Sequence, residues 1–195
     1  MINQIILASK SKIRKKILKF NNINCEVLPA NIDEDMVKMS LLKERATPTL
    51  ISKNLAELKA NKVSEKNHNH LVLGADSIID LEGELISKPT NRKEALKILK
   101  KLNGKKHYLI SSVCISMNGL MMWNHTDKAA LTMKQMTTEE LKLYLKQIKD
   151  EALYAYNVYQ IEDVGRSLFS KIEGDVNTIM GLPIKQIKEY LNTIK

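Results

Sequence analysis

Leu73-Gly74-Ala75-Asp76-Ser77 sets a carboxylate at the end of an apolar run, beside a glycine and with no positive neighbour in sequence. An unpaired buried carboxylate is prohibitively costly, so Asp76 is expected to face a cleft. Gly74 marks a point where the backbone turns or something approaches it closely. Beyond it Lys88-Pro89 supplies a cation fixed by a proline. Near the N-terminus, Ser9-Lys10-Ser11-Lys12-Ile13-Arg14 has the chemistry of a phosphate cradle. A strand running into a helix start leaves free backbone N–H groups at a positive dipole end. Ser9 and Ser11 add hydroxyl donors, and Arg14 a bidentate fork. These residues alone equally fit Ser11 as a helix cap with Arg14 in solvent, since no glycine-rich loop makes this a P-loop.

Asp33-Glu34-Asp35 is an acidic cluster, and such clusters are often plain turns. Mg²⁺, however, takes one or two protein carboxylates plus substrate phosphates, which pairs Glu34 with Asp76 if the fold brings them together. Lys59 and Lys88 are candidate phosphate-holding or orienting cations. His68, His70, His107 and His125 lack metal-ligand spacing and read as structural or surface positions. One acid, several cations and a hydroxyl-rich helix start point to a metal and a polyphosphate, and so to an enzyme.

The elements that must position these groups follow from periodicity. Ile5 to Ala8 reads as a strand feeding a helix over Ser11 to Phe20, with Ile13, Ile17 and Leu18 as its apolar stripe. Val27 to Ile32 reads as extended, Ser52 to Glu65 as a helix, and Leu71 to Asp80 as a strand ending in a Glu82-Gly83 turn. Asn91 to Leu102 reads as an amphipathic helix stopped by Asn103-Gly104. His107 to Met117 is a long strand, and Asn118-Gly119 is a strong hairpin signal before a strand from Leu120 towards Met133. Thr137-x-x-Glu140 is a capping box opening a helix to about Lys149. Pro183 suits the first turn of a last helix, with Ile184, Ile187, Tyr190, Leu191 and Ile194 on one face. One hairpin among alternating helices and strands predicts an α/β fold with a mixed sheet.

The 195 residues, 44% of them hydrophobic, suffice for one domain and exclude disorder. No apolar run reaches the ~18 residues of a membrane span, and the N-terminus lacks the order of a signal peptide. Cys25 and Cys114 are too few and too far apart for a disulfide framework, so a cytoplasmic location is expected. The net charge of +9 is spread over the chain as Lys and is not interleaved with aromatic residues for stacking bases. A nucleic-acid partner is therefore not expected, whereas an anionic small substrate is.

In this order and spacing, several motifs together resemble the Maf-like nucleoside triphosphate pyrophosphatases, from Ile6 to Leu191. They are Leu7-Ala8-Ser9-x-Ser11-x-x-Arg14, Ile32-Asp33-Glu34, Leu73-Gly74-Ala75-Asp76, Gly83-Glu84 to Lys88-Pro89, Leu102-x-Gly104-x-x-His107, and Gly174-Asp175 through Gly181-Leu182-Pro183. The resemblance implies a single 1–195 domain with a two-lobed mixed β-sheet and flanking helices, similar to the inosine triphosphatases. It also implies a cleft between the lobes and a possible homodimer. It implies hydrolysis of nucleoside triphosphates to a monophosphate and pyrophosphate with Mg²⁺ or Mn²⁺, removing non-standard or excess nucleotides. The alternative is a nucleotide-binding regulator of division that does not turn over substrate.

By the same resemblance Asp76 is the proton acceptor, while Arg14, Glu34, Lys59, Lys88, Ser9 and Ser11 handle phosphate and metal. The positions that read the base in thymidine/uridine-type members are Ile13, Ser77 and Glu162 here. All three depart from the Arg, Thr and Gln of that type. Two family glycines are replaced by Asn157 and Asp163. With its acceptor-only carboxylate, Glu162 is expected to favour a guanine-type edge.

Overall fold

The computed structural model describes residues 4–151, 153 and 157–194. Ile5, Ile6 and Leu7 are all buried and form β1 (Ile5–Leu7). It runs into α1 (Lys12–Phe20), whose N-cap is Ser11, and returns as β2 (Cys25–Val27), parallel to β1. Two helices follow, α2 (Glu34–Lys43) and α3 (Pro48–Ser64). Next come β3 (Val72–Leu81), β4 (Glu84–Ile86) and α4 (Arg92–Leu102). The long β5 (Lys106–Met117) and β6 (Leu120–Met133) lead to α5 (Thr138–Gln147). A 3₁₀ turn at Val164–Leu168, β7 (Phe169–Glu173), α6 (Val176–Ile179) and α7 (Ile184–Thr193) complete the chain.

The strands form one mixed sheet of seven, ordered β2-β1-β3-β5-β6-β7, with β4 also on β3. β1 pairs in parallel with β2 and β3, while the β3–β5, β5–β6, β6–β7 and β3–β4 pairs are antiparallel. This is the mixed α/β sheet that the residue pattern predicts, with the flanking helices that the resemblance implies. Two large apolar clusters occupy different parts of it. Ile17, Leu18, Leu73, Ile184 and Ile187 lie in one with α1 and α7. Leu99, Leu102, Leu131, Leu141 and Phe169 lie in the other with α4 and α5. Among the described residues no helix is long and apolar enough to cross a membrane.

Local chemistry sets the turns. Asn118 and Gly119 take φ of 52° and 79°, and Glu82 and Gly83 take 55° and 86°, the left-handed pairs that tight hairpins require. Thr137 and Glu140 form the expected capping box. Several boundaries differ from the sequence reading. The expected extended piece over Val27 to Ile32 is strand only at Val27. Asp33-Glu34-Asp35 opens a helix: Asp33 is the N-cap of α2, accepting from Met36 N, and Glu34 and Asp35 fill its first turn. α3 starts at Pro48 behind a Thr47 cap, before the expected Ser52. α5 stops at Gln147, short of Lys149. Pro183 is the cap residue before α7 rather than part of its first turn, and Ile194 lies beyond that helix. β7 and α6 have no counterpart in the sequence reading.

Candidate active site

Along β3, β1 pairs only at Val72 and Leu73, and β4 only at Ile79 to Leu81. Between them the stretch from Gly74 to Ile78 is paired to β5 on one side alone. A cleft of about 650 Å³ opens there. Successive residues of a strand point to opposite faces, so this open edge lets the cleft meet both faces of β3. All ten residues singled out in the sequence line it: Ser9, Ser11, Ile13, Arg14, Glu34, Lys59, Asp76, Ser77, Lys88 and Glu162.

On one face, Asp76 meets α3. Lys59 Nζ donates to Asp76 Oδ1 at 2.8 Å and contacts Glu34 Oε1 at 3.0 Å. Asp76 is 5% exposed and Lys59 6%. Asp76 thus has no cationic neighbour in sequence but has one in space, and Glu34 and Asp76 are joined through the same ammonium. The contact depends on Gly74. A Cβ there would lie 2.2 Å from Ala56 O and 2.9 Å from Ala60 Cβ, so only glycine lets α3 approach β3 closely enough to deliver Lys59. Close approach, rather than a turn, is what Gly74 provides. Asp76 Oδ2, by contrast, is buried without a hydrogen-bond partner among the described residues.

Burial raises the pKa of Glu34, but Lys59, then Lys38 and Lys88, outweigh it and hold the carboxyl below its usual range. Lys38 lies one helical turn beyond Glu34, 4.0 Å from its Oε2 and 3.7 Å from Asp35 Oδ1. Lys88 enters from the segment after β4. Desolvation of its ammonium, with Arg14 nearby, depresses its pKa despite opposing pulls from Glu34 and Asp76.

On the other face, Arg14 spans three segments. Its Nε donates to Gly181 O at 2.9 Å, Nη1 to Ser9 Oγ at 3.0 Å and Ala75 O at 2.9 Å, and Nη2 to Ser77 Oγ at 3.0 Å. Its fork is therefore engaged by the protein itself, neither in solvent nor wholly reserved for phosphate. Ser11 does cap α1, accepting from Arg14 N at 3.4 Å, and Ser9 Oγ accepts from Ser11 N at 3.3 Å. Gly181 has φ +93°, and a Cβ on it would meet Ser77 Oγ at 2.8 Å.

At the far wall, Glu162 is exposed and accepts from Gln160 Nε2 at 3.4 Å. Asn157 takes φ 74°, the left-handed region that Asn tolerates better than most residues. By the resemblance noted in the sequence, the family has a glycine at this position. Asp163 is extended at φ −134° and needs no glycine. His107 is fully buried, with Nε2 2.9 Å from Tyr159 Oη. Burial pulls His107 down to about 4 and pushes the Tyr159 phenol up, so a neutral imidazole and a neutral phenol share this hydrogen bond. Sequence reasoning passed over Lys38, Lys149 and Glu151, which also line the cleft. Lys38 was detectable only as a residue one turn beyond Glu34, once α2 is recognised as a helix.

Residues 4–194 match the family model of Maf-like proteins. The chain is similar to a nucleoside triphosphate pyrophosphatase of Pelagibacter ubique, at 69% identity over 195 residues and 100% of both chains. It is also similar to a 7-methyl-GTP pyrophosphatase of Brucella abortus, at 38% identity over 94% of this chain and 92% of that one. Among solved structures, a nucleoside-triphosphatase (dITP/XTP pyrophosphatase) from Mycobacterium abscessus is 11% identical, with a TM-score of 0.40 over 68% of this chain and 75% of that one. With nearly its whole length matched, the chain belongs to the Maf-like protein family.

Proposed function

We propose that this chain hydrolyses nucleoside triphosphates to a nucleoside monophosphate and pyrophosphate in the cleft beside β3. The observation that carries the reading is Asp76. It is buried at the cleft, with one carboxylate oxygen on Lys59 and the other without a hydrogen-bond partner among the described residues. A carboxylate held this way can accept a proton from water. Water adds at phosphorus, the α–β anhydride bond breaks with its electron pair on the pyrophosphate, and the water proton passes to Asp76. Lys59, Lys88 and Arg14 supply positive charge along the triphosphate, and Ser9 lies beside Arg14. Phosphoryl transfer needs mainly such positioning and charge neutralisation.

The donor set also fits a divalent cation. Glu34 and Asp76 offer hard oxygen donors, and Mg²⁺ is commonly held by one or two carboxylates plus substrate phosphates. Among the described residues there is no cluster of three or more His, Cys, Asp or Glu that would hold a metal without substrate. A bound Mg²⁺ or Mn²⁺ would neutralise phosphate charge.

The base class we assign is guanine-type, through Glu162. An ionised carboxylate accepts from the N1–H and exocyclic amine of guanine together. A thymine or uracil edge presents two carbonyl oxygens to the same negative charge. Methylation at N7 makes the base cationic, which strengthens the attraction, and a 38% identical relative bears the name 7-methyl-GTP pyrophosphatase. Pyrophosphate release should be measured for GTP, 7-methyl-GTP, dTTP, UTP and CTP with Mg²⁺ or Mn²⁺, and again after EDTA. The guanine pair should lead, and Glu162→Gln should narrow the gap by the ~1–3 kcal/mol of a bidentate contact. Binding without pyrophosphate release would identify a regulator instead, and a preference for dTTP or UTP would remove Glu162 from base reading.

A further inference from the structure

Behind Arg14, three strands carry a row of polar residues. Ser77 on β3 lies directly opposite Ser111 on β5, and Ser111 lies opposite Asp127 on β6. The short helix α6 covers this row. Ser111 Oγ donates to Thr178 O at 2.7 Å, and Thr178 Oγ1 donates to Asp127 Oδ2 at 2.6 Å. Ser77 Oγ and Ser111 Oγ are 2.9 Å apart. Ser111 and Thr178 are both fully buried.

The direction of the chain follows from counting protons. A serine hydroxyl has one hydrogen, and a backbone carbonyl can only accept. The Ser111 hydrogen is therefore committed to Thr178 O, and Ser77 must be the donor to Ser111. Ser77 then accepts from Arg14 Nη2, at 3.0 Å. The order runs from Arg14 Nη2–H through Ser77 Oγ–H and Ser111 Oγ–H to Thr178 O, with no ambiguity of donor at any link.

We propose that Ser111 is a positioning residue for the Arg14 guanidinium, acting through Ser77. It lies outside the lining of the cleft and touches no substrate. It turns the Ser77 hydrogen away from Arg14, so that Ser77 presents lone pairs to the fork. Removing the Ser111 hydroxyl takes away the acceptor of the Ser77 hydrogen, so nothing fixes the direction of the lone pairs that Ser77 presents to Arg14. Thr178 O keeps its bond from Gly181 N at 3.0 Å, but the loss removes the link by which that carbonyl ties α6, and Gly181 shortly after it, to β5. Arg14 would then lose the orientation of two of its partners at once. This inference rests on the reading of Arg14 as a substrate-facing cation.

The test compares Ser111→Ala, Ser111→Cys and Ser111→Thr with the parent and with Arg14→Lys, at a temperature well below every Tm. The readouts are kcat/KM for the preferred triphosphate and calorimetric affinity for its non-hydrolysable analogue. Ser111→Ala should lower both about five- to tenfold, as expected when one buried hydrogen bond stops holding its partner. Ser111→Thr keeps the hydroxyl and should remain within about twofold of the parent on the same reasoning. In the Arg14→Lys background Ser111→Ala should add less than about twofold, because coupled residues are not additive. An equal loss in both backgrounds would mean the hydroxyl acts elsewhere and overturns the proposal. So would a lower Tm with unchanged kcat/KM and affinity.

If the alanine variant does not fold, Ser111→Cys carries the test. It keeps the shape with a weak donor and acceptor, so parent-like values for it overturn the proposal and intermediate ones support it. Arg14→Lys with parent values would instead refute the substrate role of Arg14, and this proposal with it. An impaired Arg14→Lys beside an unimpaired Ser111→Ala refutes the Ser111 proposal alone.

Discussion

Asp76 combines two features that usually conflict: burial and a carboxylate oxygen left without a partner among the described residues. The Lys59 ammonium at 2.8 Å offsets the desolvation of one carboxylate oxygen, while the other remains available to chemistry. Asp76→Asn keeps the shape and removes the basic oxygen. Turnover should fall by ~10² or more, the usual contribution of a positioned base, with the fold intact by circular dichroism. Near-parent turnover in a folded variant would take Asp76 out of the reaction. The types of the clustered residues were legible from sequence, because a lone acid after an apolar run needs a cleft or a partner, although the Ser-rich helix start read equally as a cap, which Ser11 is. What each touches was not. Arg14 looks like a phosphate ligand in the sequence, but the folded chain directs its fork at Gly181, Ala75, Ser9 and Ser77. Ser9 is close in sequence, but Gly181, Ala75 and Ser77 come from distant parts of the chain, and no local spacing encodes them.

At the scale of elements, the site depends on how closely α3 lies on β3. The side chain of Gly74→Ala would enter Ala56 O and the Ala60 backbone. Overpacking of this kind typically costs about 1–3 kcal/mol, and backbone atoms cannot swing aside. Urea unfolding should show a loss at the top of that range. Activity should fall further than stability, because Lys59 moves with α3 while Asp76 stays on β3. An active, parent-stable alanine variant would refute this account of the glycine. Elements with an apolar stripe or a turn signal were legible from sequence: α1, α4, the capping box of α5 and the β5–β6 hairpin. α2 was not, because none of its residues is buried and Met36 and Met39 are exposed, so burial left no periodic stripe to read. Its remaining signal was the cap, Asp33 with two acids in the first turn, which an acidic turn imitates. β7 and α6 span five and four residues, too short for a period to register.

The whole molecule carries a pH liability in His107. Its folded pKa is about 4 against 6.5 when exposed, so the unfolded chain binds the extra proton. Stability from the neutral imidazole is fully present above about pH 6.5 and drains away as pH falls towards 4. The slope is about 1.4 kcal/mol per unit. Tm measured from pH 7 to pH 5 should drop for the parent. It should drop clearly less for His107→Gln, and parallel curves would show that other groups govern the acid limb. The effect reaches the cleft because Tyr159, the hydrogen-bond partner of His107, is one of its lining residues.

The Asn118-Gly119 turn also bears on chemical ageing. An asparagine before glycine is the pair most prone to deamidation, in which the next backbone nitrogen attacks the side-chain carbonyl. Here that nitrogen is already committed: Gly119 N donates to Ser64 Oγ at 2.9 Å, and Asn118 Oδ1 accepts from Asn69 N at 2.9 Å. The attacking group and its target are both held, by α3 and the loop after it. The hairpin tip should therefore keep its amide through long storage at neutral pH, and Ser64→Ala should hasten the gain of about one mass unit at Asn118 in peptide mapping. The helix that delivers Lys59 to the cleft thus also protects the far end of the sheet from wear.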